Sequence, residues 1–348
     1  MSTALRKARS WARRVRDRIA PKALVLMYHR IAESDSDPWG LCVSPQHFAE
    51  QLDVLSSHGP VLNLTQLATA VQSGRVPRNA VAVTFDDGYI DNLEQAAPLL
   101  ERYGIPATIF VATGYIGSSR EYWWDDIERL LLQPGTLPDR LDLDLGEFKR
   151  SWELGEARTL TPEQVASSRA WRIPEPYPTP RHAFFHDIWG CLYRSPQESR
   201  TTALRNLAAW AGTTKQARPG VRPMTAEELG RLDAGGVVEL GAHSVTHPSL
   251  PICTPETQRL EIFQSRDRLA EITGHRIGSF AYPHGDFDSQ TAGLVREAGF
   301  LGACSTRRDL VTNRSDPFRL PRAGVLDWNG EIFARHLAEL RRGKPARH

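Results

Sequence analysis

Residues 80–88 read Ala-Val-Ala-Val-Thr-Phe-Asp-Asp-Gly (AVAVTFDDG), a β-rich apolar run ending in two adjacent carboxylates and a glycine. Ala80–Phe85 has the composition of a buried strand. Neighbouring side chains in a strand point to opposite faces, so within the run one of Asp86 and Asp87 would be buried without a partner. At the C-terminal tip of the strand both can turn into one cleft, where ligand sites form in parallel α/β folds. Gly88 permits the sharp exit. An isolated Asp-Asp-Gly is more often an ordinary turn, so the reading depends on its surroundings.

Similar runs recur on either side. Ala23–Tyr28 (ALVLMY) ends at His29; Val61–Leu64, Ala107–Ala112, Val237–Ala242, Ile277–Tyr282 and Leu301–Ser305 follow the same pattern. Helical spacing separates them. Ser44 caps a helix with Pro45 at its first position and Phe48, Leu52 and Leu55 on one face. Further helices are expected over Asp91–Tyr103, closed by Gly104, over Pro255–Thr273 and over Ser289–Ala298, with Gly274 and Gly299 as stops. Strand and helix in alternation imply parallel strands with helices packed outside, hence an α/β fold. Between about Tyr115 and Pro223 the pattern breaks. That stretch holds Trp123, Trp124, Trp152, Trp171, Trp189 and Trp210 and a proline-laden segment, Ile173–Pro180, with helices plausible over Trp124–Leu132 and Pro196–Ala211. It reads either as a cap lining a substrate cleft or as a small helical subdomain whose tryptophans are core.

The chain has 348 residues, 41% hydrophobic and 24% charged, with 12 Phe, 9 Trp and 8 Tyr, enough for a sizeable core. Disorder and fibrous repeats are excluded on that ground. No run approaches the roughly 18–20 apolar residues of a membrane-spanning helix. Cys42, Cys191, Cys253 and Cys304 lie far apart and read as reduced thiols rather than a disulfide framework or zinc knuckle. The formal charge of +2 conceals a basic arm: the first 22 residues carry eight Lys or Arg against Asp17 alone, leaving the remainder at about −5. The globular part is therefore no nucleic-acid surface, and no nucleic-acid partner is expected. In the arm, Leu5, Ala8, Ala12, Val15 and Ile19 follow one helical face with arginines on the other. Residues 4–19 form either a helix on an anionic membrane surface or a solvated basic terminus. Arginines interrupt every turn, so the arm lacks the unbroken 7–15-residue apolar stretch of a secretory signal. A cytoplasmic location, peripheral on the inner membrane if the arm binds lipid, is the expectation. The oligomeric state is not legible.

The second constellation is His243-Ser244-Val245-Thr246-His247-Pro248, again after a strand. Imidazoles four apart converge if the backbone coils one turn, and two neutral imidazoles with one carboxylate make an open metal site. Water there can approach a pKa of ~7, and a neighbouring carboxylate can act as base. An isolated HxxxH is more often a surface or capping pair. A third loop, Phe280-Ala281-Tyr282-Pro283-His284-Gly285, also follows a strand, and three such loops together are hard to ascribe to chance.

In this order, TFDDG, HSVTHP and FAYPHG resemble the polysaccharide deacetylases, metal-dependent carbohydrate N-deacetylases with a nodulation-type deacetylase domain. The resemblance covers roughly Ala23–Gly114 and Met224–Val325. It implies a distorted (β/α) barrel of about seven parallel strands with a mostly helical insertion. The domain boundaries expected are a basic arm at 1–22, barrel at 23–114, insertion at 115–223, barrel again at 224–342 and a basic tail at 343–348. It implies Asp87, His243 and His247 as metal ligands, with Ser244 and Thr246 steadying their loop, and Asp86 as general base. It further implies the His284 backbone N–H as oxyanion donor, where the family usually has Tyr. The family's usual C-terminal Leu-x-His acid has no clean counterpart; His336 sits on what reads as a helix face. Met27-Tyr28-His29-Arg30 instead resembles permuted members, which makes His29 the acid. Where the family often places an arginine to orient the base, Ser279 and Phe280 stand, and Arg322 in LPRAGV is the substitute candidate. Tyr282, Pro283, Trp123, Trp124 and Arg322 complete the substrate-side candidates; Trp123-Trp124-Asp125 resembles a segment of family members from surface-polysaccharide clusters.

The function expected is metal-dependent removal of an N-acetyl group from an amino sugar of a surface polysaccharide or its lipid- or nucleotide-linked precursor. Zn²⁺ is the first choice, with Co²⁺, Mn²⁺, Ni²⁺ or Fe²⁺ compatible. A deformylase or other amide hydrolase on the same site is one alternative; a catalytically silent carbohydrate-binding protein at a membrane surface is another.

Overall fold

The computed structural model describes residues 21–146, 149–212 and 217–342. The amphipathic arm and basic tail lie outside the described residues, apart from residues 21 and 22 of the arm. One curled, partly open sheet organises the molecule. In chain order its strands are β1 (Lys22–Tyr28), β2 (Val61–Leu62), β3 (Val81–Phe85), β4 (Ala107–Val111), β5 (Val238–Ala242), β6 (Ser279–Ala281), β7 (Gly302–Cys304), β8 (Val311–Thr312) and β9 (Ala323–Gly324). Across the sheet the order is β7-β6-β5-β4-β3-β1-β8, with β2 on β3 and β9 on β1. The expected distorted (β/α) barrel is therefore present, as a nine-stranded mixed sheet. All pairings in it are parallel except β1–β8, which joins Lys22 to Thr312. Strands β8 and β9 have two residues each, too short for a periodic signal.

Parallel in-register pairing positions the site. Tyr28 lies opposite Phe85, Phe85 opposite Ile109, and Ala242 opposite both Val111 and Phe280. The residues that follow β1, β3, β5 and β6 therefore gather on one rim, and these are His29, Asp86, His243 and Tyr282. Alternation along each strand splits the core into two faces. Leu24, Leu26 and Tyr28 pack with Phe48, Leu52 and Leu55 of the helix Pro45–Ser56, while Ala23 and Val25 face Leu64, Leu67, Ala68 and Val71. These last four belong to a helix, Leu64–Gln72, where only the end of a strand was expected. Asn63 and Gln66 form its capping box. Its residues reach strands from both halves of the sheet: Leu64 N donates to Thr108 Oγ1 (2.9 Å), Thr65 Oγ1 to Glu239 (2.8 Å) and Gln72 to the Leu301 carbonyl (2.7 Å).

A separate apolar cluster forms between Tyr122 and Val221, built on Trp123, Trp124, Trp171, Phe184, Phe185 and Ile188. Tyr89 and Ala112 of the barrel loops join it, so the segment is seated over the rim. Its helices include Trp123–Leu131, Gln197–Trp210 and one the sequence reading passed over, Pro180–Arg194. The proline run before it obscured that helix, although Pro180 is only its first residue, a position that tolerates proline. The segment also holds a hairpin, Arg140–Asp144 with Lys149–Glu153. Arg181, 1% exposed, fastens the segment by donating to the carbonyls of Leu131 (3.0 Å), Ala157 and Arg158. No described helix is long and apolar enough to cross a membrane, and all four cysteines are free.

Candidate metal centre

Three of the loops on the rim bend through backbone conformations that side chains rarely adopt. Asp87 (φ 73°), Ser244 (φ 64°), His247 (φ 56°) and His284 (φ 58°) are four of the five non-glycine residues with positive φ among those described. Such conformations each cost on the order of 1 kcal/mol and persist only where surrounding contacts enforce them. At the first loop the amide of Asp86 donates to Tyr28 O (3.0 Å), Gly88 continues the turn at φ 75°, and Tyr122 Oη donates to Asp87 O. At the second, His247 N donates to Ser244 Oγ (3.1 Å). Glu261, on the helix Pro255–Thr273, clamps the same loop by accepting from Val245 N (2.7 Å), Thr246 N (2.8 Å) and Thr246 Oγ1 (2.7 Å). In the third loop Gly285 (φ 79°) passes so near Thr306 that a Cβ would fall 2.7 Å from the Thr306 amide nitrogen.

These bends bring Asp87, His243 and His247 together, with one donor atom of each within 4.8 Å of the others. Asp87 Oδ1 lies 3.8 Å from His243 Nε2 and 3.5 Å from His247 Nε2. A tetrahedral ion with bonds of ~2.0–2.1 Å spans ligand atoms about 3.3 Å apart, so the spacing fits. Partnering fits as well. His243 Nδ1 is 2.7 Å from the carbonyl of Ala281, which can only accept. The proton is therefore on Nδ1 and the Nε2 lone pair faces the cluster. Asp87 Oδ1 is buried with no hydrogen-bond partner, an arrangement that calls for a cation. Burial, then the neighbouring Asp86 and Asp125, pushes the Asp87 carboxyl well above its usual range, while burial, then His284 and His243, drives His247 well below that of histidine. The first shift marks Asp87 as lacking a positive partner, and the second favours the neutral His247 imidazole that a metal ligand requires.

Asp86 stands beside the triad under different constraints. Arg322 grips it with two bonds, Nη1 to Oδ1 at 2.6 Å and Nη2 to Oδ2 at 2.7 Å. Burial would raise this carboxyl, but Arg322, then His243 and His29, hold it at about 2. His29 Nε2 and His243 Nε2 are each 3.9 Å from Asp86 Oδ2. Burial lowers His29 to about 4 against the pull of Asp86, so its imidazole is neutral at rest.

The remaining candidates are placed unevenly. A cavity of about 370 Å³ opens over the triad, lined by His29, Asp86, Trp124 and His284 among others. His284 packs its ring on His247 at 4.5 Å. Trp124 packs on His247 at 4.8 Å and donates from Nε1 to Tyr89 Oη (2.8 Å). Trp123 lies behind it, stacked toward Trp189 and under the Arg200 guanidinium. Tyr282 is buried, its hydroxyl donating to Phe318 O (2.9 Å), and Pro283 is buried too. Arg322, 1% exposed, sits behind Asp86 rather than on the open side of the cavity. His336 stacks on Trp328 at 4.1 Å. Trp39, Leu41, Trp189 and Thr306 line the cavity and were not singled out from sequence. For Trp189 a signal existed: Phe184, Phe185, Ile188, Cys191 and Leu192 follow helical spacing around it.

Comparison with known proteins adds three findings. The family described as polysaccharide deacetylase matches residues 73–135 and 198–303, which include Asp86, Asp87, His243, His247 and His284 but neither His29 nor Arg322. The poly-β-1,6-N-acetyl-D-glucosamine N-deacetylase of Staphylococcus aureus is 31% identical over 120 residues, 31% of this chain, and the match spans only 41% of that protein. Two solved structures share the fold: the Streptococcus pyogenes deacetylase PplD in complex with acetate (TM-score 0.58, 17% identity, 91% of this chain and 99% of that one) and IcaB from Ammonifex degensii (TM-score 0.53, 20% identity, 92% and 97%). The cytoplasmic location expected from the arm does not stand. The finding that overturns it is that the relatives are deacetylases of extracellular or cell-envelope polysaccharides.

Proposed function

The chain belongs to the polysaccharide deacetylase family, and from that premise we propose that it hydrolyses the N-acetyl group of an amino sugar in a cell-envelope polysaccharide or its precursor. The observation that carries the reading is the buried triad with its unpartnered Asp87 oxygen. Asp87, His243 and His247 hold a divalent ion, zinc being the first choice for one carboxylate and two imidazoles. When bound, such an ion supplies Lewis acidity toward the acetamide oxygen and lowers the pKa of water.

The rest belongs to the chain's own groups. Asp86, kept ionised by Arg322, accepts a proton from the attacking water. The His284 backbone N–H donates to the oxyanion as it forms. His29 hands a proton to the departing amine, and its 3.9 Å separation from Asp86 Oδ2 gives the proton taken from water a short route to the leaving nitrogen. Trp124 supplies an apolar wall for the sugar ring beside His247. The test is acetate release from β-1,6-linked N-acetylglucosamine oligosaccharides, with chelator and then with zinc, cobalt, manganese or nickel restored. Metal-dependent acetate that disappears in Asp87→Ala is the expected result. No acetate with any of these ions, or full turnover by Asp87→Ala, ends the proposal.

A further inference from the structure

The helix Pro180–Arg194 borders two cavities. Its Trp189 lines the space above the triad. Its His186, Gly190 and Arg194 line a second cavity of about 380 Å³, which Arg150 and Tyr177 also line. The two share a wall: the His186 ring is 6.0 Å from Trp39 and 6.1 Å from Trp189, both of which line the first cavity. Aromatic surface is continuous from one to the other. Trp39 lies 4.6 Å from Trp189, and Tyr177 lies 5.8 Å from His186, steps comparable with the length of one pyranose. Tyr177 is 49% exposed, unusual for so large a ring, and its hydroxyl is fixed on His186 Nδ1 at 2.7 Å.

The charge of the second cavity is unbalanced. Arg150 and Asp187 pair at 2.7 Å, and Asp187 also accepts from Trp152 Nε1 at 2.7 Å. Burial lowers the His186 imidazole below its usual range against the pull of Asp187. Arg194 has no ion pair or hydrogen bond among the described residues, so the lining carries one positive charge in excess. An exposed aromatic floor beside a free guanidinium suits a sugar that offers an apolar face and one anionic substituent.

We infer that this cavity is a second glycan subsite, which takes the sugar next to the one deacetylated and selects for a carboxylate or phosphate on it through Arg194, with Tyr177 as stacking floor. The inference rests on the deacetylase reading only for the direction of the glycan; binding can be measured apart from turnover.

Three probes separate the possibilities: a neutral N-acetylglucosamine tetrasaccharide, a hyaluronan tetrasaccharide with alternating glucuronate, and an N-acetylglucosamine oligosaccharide phosphorylated on one residue. Each is titrated calorimetrically into the full chain, with and without chelator, alongside acetate release. At low salt an acidic probe binds the wild type about tenfold more tightly than the neutral one, a preference that salt screens. Arg194→Gln removes the preference, and Tyr177→Ala weakens all three. Which acidic probe wins identifies the substituent. Equal binding of all three probes by the wild type, or a preference that survives Arg194→Gln, overturns the inference. An Arg194-dependent preference without any acetate release supports the subsite and counts against the hydrolase reading instead.

Discussion

Two carboxylates one position apart have opposite electrostatic fates. Asp86 is matched by Arg322 and held at about 2, whereas Asp87 is buried with Oδ1 unpartnered and pushed up. Nothing in the dipeptide distinguishes them; the difference is which way each turns from the end of β3. Asp87 turns through φ 73°, and the hydroxyl that Tyr122 donates to its carbonyl enforces that turn. Tyr122→Phe should therefore loosen the ligand without removing it. Metal affinity is expected to fall by about tenfold, the lower end of the range for groups that support ligands. Competition against a chromogenic chelator measures it, and an unchanged affinity would show the hydroxyl to be dispensable. Tyr122 was not legible as a functional residue, because an aromatic beside two tryptophans reads equally well as core.

The elements that matter at the site are short loops held by distant anchors. The loop His243–His247 contains two residues with positive φ, and its shape depends on Glu261, which accepts three hydrogen bonds from it. Charge-assisted bonds contribute about 1.5–3 kcal/mol each when both partners are desolvated, less where partly exposed. Glu261→Ala is expected to lower stability by about 2–3 kcal/mol and to weaken metal retention, both within reach of urea titration and metal analysis. Glu261→Gln should restore part of both, since an amide oxygen still accepts. The strands and most of the helices around these loops were readable, since apolar runs and caps are local signals. The helix Pro180–Arg194 was not, because a proline-rich preceding segment masks a start that proline tolerates. The hairpin Arg140–Asp144 with Lys149–Glu153 is illegible for a different reason: its two strands are mostly charged, with Leu141, Leu143 and Trp152 as their apolar residues.

At the scale of the whole molecule, the Trp-rich segment is a second core seated on the barrel rim, and it buries a titratable histidine. His182, 3% exposed within it, is lowered to about 4 by burial and then by Arg181 beside it. An unfolded histidine titrates near 6.5, so between about 4 and 6.5 the unfolded chain binds the proton and the folded one does not. This residue's contribution is fully present above about pH 6.5 and is lost progressively as the pH falls toward 4. The expected loss is on the order of 2 kcal/mol. Urea midpoints of the wild type and His182→Gln, compared at pH 7 and pH 4.5, should show a smaller acid penalty in the variant; equal penalties would refute the assignment.

The sequence by itself determined the strand-tip chemistry of this protein. Apolar runs stop at Asp86-Asp87-Gly88, His243–His247 and Tyr282–Gly285, and local stereochemistry forces whatever follows a buried strand onto a rim. Only the tertiary structure decided how that rim is equipped. It set Arg322 against Asp86 across 236 positions, brought His29 to 3.9 Å from the same carboxylate, turned Tyr282 inward, and placed Trp39 and Trp189 over the triad. The reason is physical. A strand end is specified by the few residues around it, whereas a contact between remote segments depends on the register and curl of the entire sheet, to which every packed residue contributes.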